Sequence, residues 1–204
     1  MLTKLKKRVQ EVLLSEAKLA HRFGLTPNRV SVLGFLLSLL SAAVYGLGSR
    51  EQLILLLAVV LFLLSGFCDT LDGILARHYQ QASVFGGFLD SILDRYADAA
   101  VYAGIIVGGL CEPVWGLAAF IGSMLVSYSR ARAEAAGIKM ESVGFAERAE
   151  RMLILAGSTL VAIYWFPALN IGIIVLAVLS NLTVLQRAYH VYNTLKKKRE
   201  GPES

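Results

Sequence analysis

The chain has 204 residues, 56% of them hydrophobic, and a formal net charge of +5. Ordinary soluble domains contain about 45–50% apolar residues, so the composition excludes such a domain and predicts an integral membrane protein. The basic residues flank long apolar segments. This arrangement favours contact with anionic lipid headgroups, so we expect membrane lipids as partners and no nucleic acid.

The N-terminal segment, residues 1–23, predicts an amphipathic helix that lies in the membrane interface. Between its lysines and arginines, apolar residues recur at helical spacing, namely Leu5, Val9, Val12, Leu19 and Phe23. A soluble partner-binding helix has the same pattern, but the adjoining apolar segments favour the interface. No cleavable signal peptide is visible. Downstream, Thr26 is a candidate helix cap and Pro27 suits a first helical position.

The remainder of the chain predicts an all-α integral membrane fold with six transmembrane helices. The spans are placed at residues 28–48, 52–77, 84–109, 113–135, 149–166 and 168–193. Nearly every lysine and arginine falls on the side that holds both termini, and the positive-inside rule assigns that side to the cytoplasm of a multi-pass cell-membrane protein. The expected organisation is a juxtamembrane helix at 1–23, a six-helix membrane domain at 24–195 and a basic cytoplasmic tail at 196–204.

Four aspartates lie at the cytoplasmic ends of the second and third predicted spans. Asp69 and Asp72 are three residues apart on one helix. Asp90 and Asp94 are four apart on the next, so each pair shares a helix face. A short connection predicts that the two helices are antiparallel neighbours, which would bring all four carboxylates into one cytoplasmic pocket.

Four carboxylates remain ionised together in a low-dielectric setting only if cations neutralise them. Because their ligand atoms are all oxygens, they favour Mg²⁺, Mn²⁺ or Ca²⁺ over zinc. Four carboxylates also suffice for two metal ions about 4 Å apart, an arrangement that clamps phosphate oxygens.

Two alternative roles fit the aspartates less well. An ion-pair network with Arg77 and Arg95 leaves the charge unbalanced, because two arginines cannot neutralise four carboxylates. A divalent-cation channel or transporter could use the carboxylates, but it gives no role to the glycine, alanine and arginine that follow Asp72.

The stretch from Asp69 to Asp94 has the pattern D-x2-D-G-x2-A-R-x8-G-x3-D-x3-D, which resembles the signature of the CDP-alcohol phosphotransferase family. The matching residues are Asp69, Asp72, Gly73, Ala76, Arg77, Gly86, Asp90 and Asp94. The resemblance implies an enzyme of phospholipid biosynthesis. In such an enzyme the hydroxyl group of an acceptor alcohol attacks the lipid-linked β-phosphate of a CDP-lipid, and CMP leaves.

The resemblance also implies roles for individual residues. Asp69, Asp72 and Asp90 would ligate two Mg²⁺ or Mn²⁺ ions. Asp94 would complete the metal site and act as the general base that takes the hydroxyl proton. The implied CDP-lipid-binding residues are Asn28, Asp69, Asp72, Gly73, Ala76, Arg77 and Ser83.

Arginines around the last cytoplasmic loop indicate that the acceptor alcohol is phosphorylated, because guanidinium groups bind a dianionic phosphate bidentately. The candidates are Arg130, Arg148, Arg151 and Arg187. A positive-inside loop that contacts lipid headgroups accounts for most of this charge equally well. Arg187 weakens that interpretation, because an arginine within an apolar span needs a buried partner.

The segments around these arginines resemble the phosphatidylinositol phosphate synthase branch of the family. That branch implies inositol 1-phosphate as the acceptor, with its phosphate bound by Arg130, Arg151 and Arg187. The chain departs from the branch at Arg130, where bacterial members often carry lysine, and at Ala149, where proline is common. Glycerol 3-phosphate, which would give phosphatidylglycerophosphate, is the alternative acceptor. Either CDP-diacylglycerol or CDP-archaeol fits as the lipid donor.

Gly104 and Gly108 form a small-xxx-small pair on the third predicted span. Such pairs allow helices to approach closely, so this pair is a candidate dimer face. The family resemblance likewise implies a homodimer.

Overall fold

The computed structural model describes residues 15–140 and 143–200, with side chains described as far as Lys197. These residues form seven helices and no strand, which confirms the predicted all-α fold. The first fourteen residues of the predicted interfacial helix and residues 201–204 of the predicted tail lie outside the described part. The helices are α1 at 15–22, α2 at Pro27–Gly46, α3 at Gln52–His78, α4 at Val84–Val107, α5 at Pro113–Ala135, α6 at Arg148–Ala162 and α7 at Pro167–Glu200.

Helices α2 to α7 overlap the six predicted spans, but they differ in length and polarity. Among the described residues, three helices are long and apolar enough to cross a membrane: Pro27–Gly46, Gln52–His78 and Pro167–Lys197. Helix α6 has only 15 residues, fewer than the roughly 20 that a hydrocarbon core requires. Helix α4 carries four charged side chains within its first four turns. The fold therefore contains three candidate membrane spans among its helices.

Local signals at the helix starts explain how α2 and α4 begin. Pro27 lies in the first turn of α2 and Thr26 occupies the N-cap position, both as predicted, but the Thr26 side chain makes no capping hydrogen bond. At the start of α4, by contrast, Ser83 is a true side-chain cap, because its hydroxyl accepts a hydrogen bond from the Gly86 backbone N–H at 2.9 Å. This cap fixes the end of the short connection from α3 to α4.

Helix α2 is the centre of the packing around the aspartates. Helices α3 and α4 each pack extensively against α2 and only marginally against each other. The prediction that they are direct neighbours is therefore wrong in detail, since a gap separates them where the aspartates lie. Helices α5 and α6 pack on α7, and contacts of α4 with α5 and of α3 with α6 join the two groups. In the buried core, Tyr45 on α2 shares a 2.9 Å hydrogen bond with Thr159 on α6.

Glycines allow α2 and α4 to touch backbone to backbone. A β-carbon added to Gly104 would collide with the carbonyl oxygen of Ala42, and one added to Gly108 would collide with that of Tyr45. The suggestion that these glycines form a dimer face is therefore wrong, because α2 of the same chain already covers them.

We expect Gly104→Ala to destabilise the chain by about 1–3 kcal/mol, the usual result of adding atoms to a closed contact. The matched control is Gly157→Ala in α6, where an added β-carbon would meet nothing within 4 Å. That change should be neutral or slightly stabilising, because alanine favours helices more than glycine does. Thermal unfolding of both variants in detergent would check this, and equal melting temperatures would contradict the proposed contact.

Candidate active site

Three of the predicted aspartates converge across the gap between α3 and α4. One carboxylate oxygen each from Asp69, Asp72 and Asp90 lies within 4.8 Å of the other two. We call these three residues the carboxylate cluster. It borders a small cavity of about 10 Å³. Its oxygen-only donors and close spacing fit a hard divalent cation such as Mg²⁺ or Mn²⁺.

Helix α2 places Ser31 beside this cluster, and the sequence analysis did not predict this residue. The Ser31 hydroxyl donates a 2.5 Å hydrogen bond to Oδ2 of Asp72, which is buried. The close approach of α2 to α3 depends on Gly34, because a β-carbon added there would lie only 2.9 Å from Cβ of Cys68 on α3. The sequence held a signal for Ser31, because Asn28, Ser31 and Gly34 form a stripe at helical spacing on one face of α2.

Asp94 borders the same cavity as the carboxylate cluster, so all four aspartates meet at one pocket as predicted, and it also pairs with arginines. Nη1 of Arg148 lies 2.8 Å from Oδ1 of Asp94 and 2.8 Å from Oδ2 of Asp69. Nη1 of Arg95 lies 3.6 Å from the other oxygen of Asp94. The buried Arg148 Nη1 makes no contact with hydrogen-bond geometry, so it acts as a positive charge between two carboxylates. Arg148, predicted to bind the acceptor phosphate, thus lies beside the cluster.

Asp98, one turn beyond Asp94, is a second residue that the sequence reasoning missed. Its Oδ1 accepts a hydrogen bond from Nε of Arg148 at 3.3 Å, and its Oδ2 lies 3.5 Å from Nη2 of Arg151. The hydroxyl of Ser123 on α5 also reaches Oδ2 at 3.5 Å. Continuing the four-residue spacing of Asp90 and Asp94 would have found it.

A larger cleft of about 200 Å³ adjoins the carboxylate cluster. Asp72, Asp90 and Ser31 line both the cleft and the smaller cavity. Of the seven predicted CDP-lipid residues, Asp69 borders only the smaller cavity. The other six line the cleft: Asn28, Asp72, Gly73, Ala76, Arg77 and Ser83.

Glycines keep this cleft open. A β-carbon at Gly86 would lie 3.0 Å from both Oδ1 of Asn28 and Oγ of Ser83. A β-carbon at Gly73 would lie 3.3 Å from Nη1 of Arg77. The glycines of the motif therefore leave room beside polar groups that can bind a ligand.

The remaining arginines surround the segment before α6. Arg187 is buried, and its Nε and Nη1 donate hydrogen bonds to the carbonyl oxygens of Val143 and Val126 at 2.8 and 2.6 Å. These carbonyls are the buried partners that an arginine within an apolar helix requires. Arg130 and Arg151 both lie within electrostatic range of Arg187. The structure thus brings Arg130, Arg151 and Arg187 into one region, which we call the arginine region.

Arg130 and Arg151 differ in how they are held. Nε of Arg130 donates a 2.9 Å hydrogen bond to Oε1 of Glu134, and both side chains are exposed to solvent. Arg151 is buried and donates through Nη1 to the carbonyl oxygen of Ala146 at 3.2 Å, in addition to its contact with Asp98.

An all-helical bundle with apolar, membrane-length helices and a carboxylate cluster beside a cleft defines a membrane-embedded enzyme of the metal-dependent type. Residues 24–185 match the family model for CDP-alcohol phosphatidyltransferases. The chain belongs to this family, which confirms the resemblance seen in the stretch from Asp69 to Asp94.

The chain resembles named members along nearly its whole length. It is 39% identical over 196 residues to the archaetidylinositol phosphate synthase of Pyrococcus horikoshii, covering 96% of this chain and 99% of that one. It is 38% identical over 186 residues to the phosphatidylinositol phosphate synthase of Mycolicibacterium smegmatis, covering 86% and 81%.

Solved structures of the Mycobacterium tuberculosis phosphatidylinositol phosphate synthase have the same fold. The form with CDP-DAG bound superposes with a TM-score of 0.78 at 31% identity, covering 89% of this chain and 94% of that one. The form in complex with manganese and citrate superposes with a TM-score of 0.77 at 32% identity, covering 88% of each.

We expect Asp69→Asn to weaken binding of Mn²⁺ by at least tenfold, because it removes one anionic oxygen ligand from the carboxylate cluster. Isothermal titration of the detergent-solubilised chain with Mn²⁺ measures this directly. Glu112→Gln, which neutralises an exposed carboxylate at the start of α5, is the control and should bind Mn²⁺ like the unchanged chain. Equal Mn²⁺ affinity of Asp69→Asn and this control would contradict the assignment.

Proposed function

We propose that the chain transfers the phosphatidyl-type group of a CDP-lipid, either CDP-diacylglycerol or CDP-archaeol, to inositol 1-phosphate with release of CMP. The observation that carries this proposal is the continuity of the site. The cleft lined by the family motif shares Asp72 and Asp90 with the cavity at the carboxylate cluster. Arg148 and Asp98 then connect the cluster to Arg151 of the arginine region. The names of its relatives, which are inositol phosphate lipid synthases, support the choice of acceptor.

In this reaction the acceptor oxygen forms a bond to the β-phosphorus, and the bond from that phosphorus to the oxygen bridging to CMP breaks. Asp94 takes the proton from the attacking hydroxyl. Its position suits this role, because it borders the same cavity as the carboxylate cluster. Positioning and charge neutralisation then supply most of the rate enhancement.

Asp69, Asp72 and Asp90 would hold Mg²⁺ or Mn²⁺, and Asp94 would complete a site for two ions. Such ions neutralise negative charge on phosphate oxygens. Within the chain, Ser31 orients Asp72 through its 2.5 Å hydrogen bond. The side chains that line the cleft, Asn28, Arg77 and Ser83 among them, would bind the cytidine diphosphate portion.

The acceptor phosphate would lie among Arg130, Arg151 and Arg187, with Arg148 between them and the carboxylate cluster. Glycerol 3-phosphate carries the same phosphate and is the alternative acceptor. A divalent-cation transporter, the more distant alternative, leaves the cleft and the arginine region without a role.

A panel of inositol phosphate, glycerol phosphate, free inositol and serine, scored by CMP release with each CDP-lipid, separates these possibilities. Metal flux into proteoliposomes without CDP-lipid would support the transporter instead.

We further propose the membrane arrangement expected from the sequence. The interfacial helix would comprise residues 1–23, the membrane domain of six spans residues 24–195 and the cytoplasmic tail residues 196–204. Both termini and the site would face the cytoplasm. The protein would form a homodimer. The basic residues near the site and tail support this orientation. Labelling of single engineered cysteines from either side of sealed vesicles, and the mass of the solubilised particle, test the topology and the dimer.

We expect Asp94→Asn to retain binding of the CDP-lipid while turnover falls roughly 100-fold or more, the usual scale for loss of a general base. CDP-lipid affinity and single-turnover CMP release measure the two effects separately. If CDP-lipid binding is lost while residual turnover stays near normal, Asp94 is a ligand and not the base.

We expect Arg130→Ala to raise KM for inositol phosphate by about 10- to 150-fold, because a hydrogen bond to a charged group contributes roughly 1.5–3 kcal/mol. KM for the CDP-lipid should change little. Arg50→Ala is the control, since Arg50 lies in the connection between α2 and α3, where its guanidinium stacks on the Phe166 ring. Equal acceptor KM values for the two variants would remove the support for an acceptor site at Arg130.

A further inference from the structure

Asp98 lies at the junction between the carboxylate cluster and the arginine region. Its two oxygens contact different arginines, Oδ1 with Arg148 at 3.3 Å and Oδ2 with Arg151 at 3.5 Å. Only 11% of its side chain is exposed. Arg148 reaches from Asp98 to the cluster, where its Nη1 lies 2.8 Å from Asp69. No other described carboxylate pairs with both arginines.

We propose that Asp98 is a positioning residue for the acceptor, a role that rests on the proposed function. It holds Arg148 and Arg151 at a fixed separation, so that Arg151 faces the acceptor phosphate while Arg148 stays between that phosphate and the carboxylate cluster. Asp98 acts through these arginines and contacts neither the donor nor the reacting hydroxyl.

The charges of the three groups explain why a carboxylate is needed at this point. Two guanidinium groups repel each other, and the repulsion is strong where water is excluded. A single carboxylate with one oxygen toward each of them offsets this repulsion. Without its charge, Arg151 would keep only its hydrogen bond to the carbonyl oxygen of Ala146, and Arg148 would turn fully toward Asp69 and Asp94.

A third helix also holds the Asp98 carboxylate, through a side chain that is not an arginine. The Ser123 hydroxyl on α5 contacts Oδ2 at 3.5 Å, so α4, α5 and α6 meet at this side chain. Ser123 is fully buried. This three-helix junction connects α4, which supplies Asp90 and Asp94, with α6, which supplies the arginines.

Asp98→Asn tests the proposal, because asparagine has nearly the same shape and lacks the charge. We expect its KM for inositol phosphate to rise roughly tenfold, comparable to the loss of one charge-assisted hydrogen bond. KM of Asp98→Asn for the CDP-lipid should stay within about twofold of the value for the unchanged chain. The control Glu112→Gln should keep both its KM for inositol phosphate and its KM for the CDP-lipid within the same twofold range. An unchanged acceptor KM in a folded Asp98→Asn chain overturns the proposal. Parallel changes in both KM values together with a lower melting temperature also overturn it, because they indicate a structural role.

Two further variants sharpen the test. Asp98→Glu keeps the charge on a longer side chain, so its acceptor KM should lie between those of the unchanged chain and Asp98→Asn. If Asp98→Asn does not fold, Asp98→Ser removes the charge in its place, and an unchanged acceptor KM in that variant overturns the proposal. In an Arg151→Ala background, adding Asp98→Asn should raise the acceptor KM by less than about threefold, since coupled residues are not additive. Full additivity overturns the claim that Asp98 acts through Arg151.

The substrate panel separates this inference from the proposed function. If the unchanged chain accepts only alcohols without phosphate, the proposed function fails and the positioning role fails with it. If it accepts inositol phosphate and Asp98→Asn leaves the acceptor KM unchanged, only the positioning role fails.

Discussion

Charge neutralisation is the constraint on which this structure depends. Five acidic or basic side chains, Asp69, Asp72, Asp90, Asp94 and Arg148, border one small cavity in a bundle whose helices are otherwise largely apolar. Carboxylates in such surroundings are stable as anions only beside cations or hydrogen-bond donors. Arg148 supplies one positive charge to two of them, and the Ser31 hydroxyl supplies a donor to a third. The charge that remains makes the cluster a strong site for divalent cations.

The packing of the helices follows from this constraint. Because α3 and α4 pack on α2 and not closely on each other, their aspartates face each other across a gap and not across a closed helix interface. Tight backbone contacts hold these helices: Gly34 brings α2 onto α3 beside the aspartates, and Gly104 brings α4 onto α2 farther along α4. These contacts fix the helices around the space beside the aspartates.

The sequence predicted the features that depend on spacing along one helix. The helix positions, the aspartates that share helix faces and most of the cleft lining follow from a period of 3.6 residues and from one motif. Features that depend on how helices approach each other were missed or wrong. Arg148 turns toward Asp69 because α6 packs on α3, and Gly104 faces α2. Neither contact can be deduced from a single segment. Asp98 was missed although its spacing was visible, because its two partners lie on another helix.

The length of α7 has a consequence for how two unlike substrates meet. At about 1.5 Å per residue, its 34 residues extend about 51 Å, well beyond a hydrocarbon core of about 30 Å. Arg187 lies about 30 Å along this helix from Pro167, and Asp69 lies about 26 Å from the start of α3 at 1.5 Å per residue. If both helices cross the bilayer, donor and acceptor groups sit at the boundary between hydrocarbon and water. A lipid donor could then arrive sideways with its tails still in the bilayer, while a water-soluble alcohol phosphate arrives from solution. The protein would need no tunnel, since each reactant stays in the phase that dissolves it.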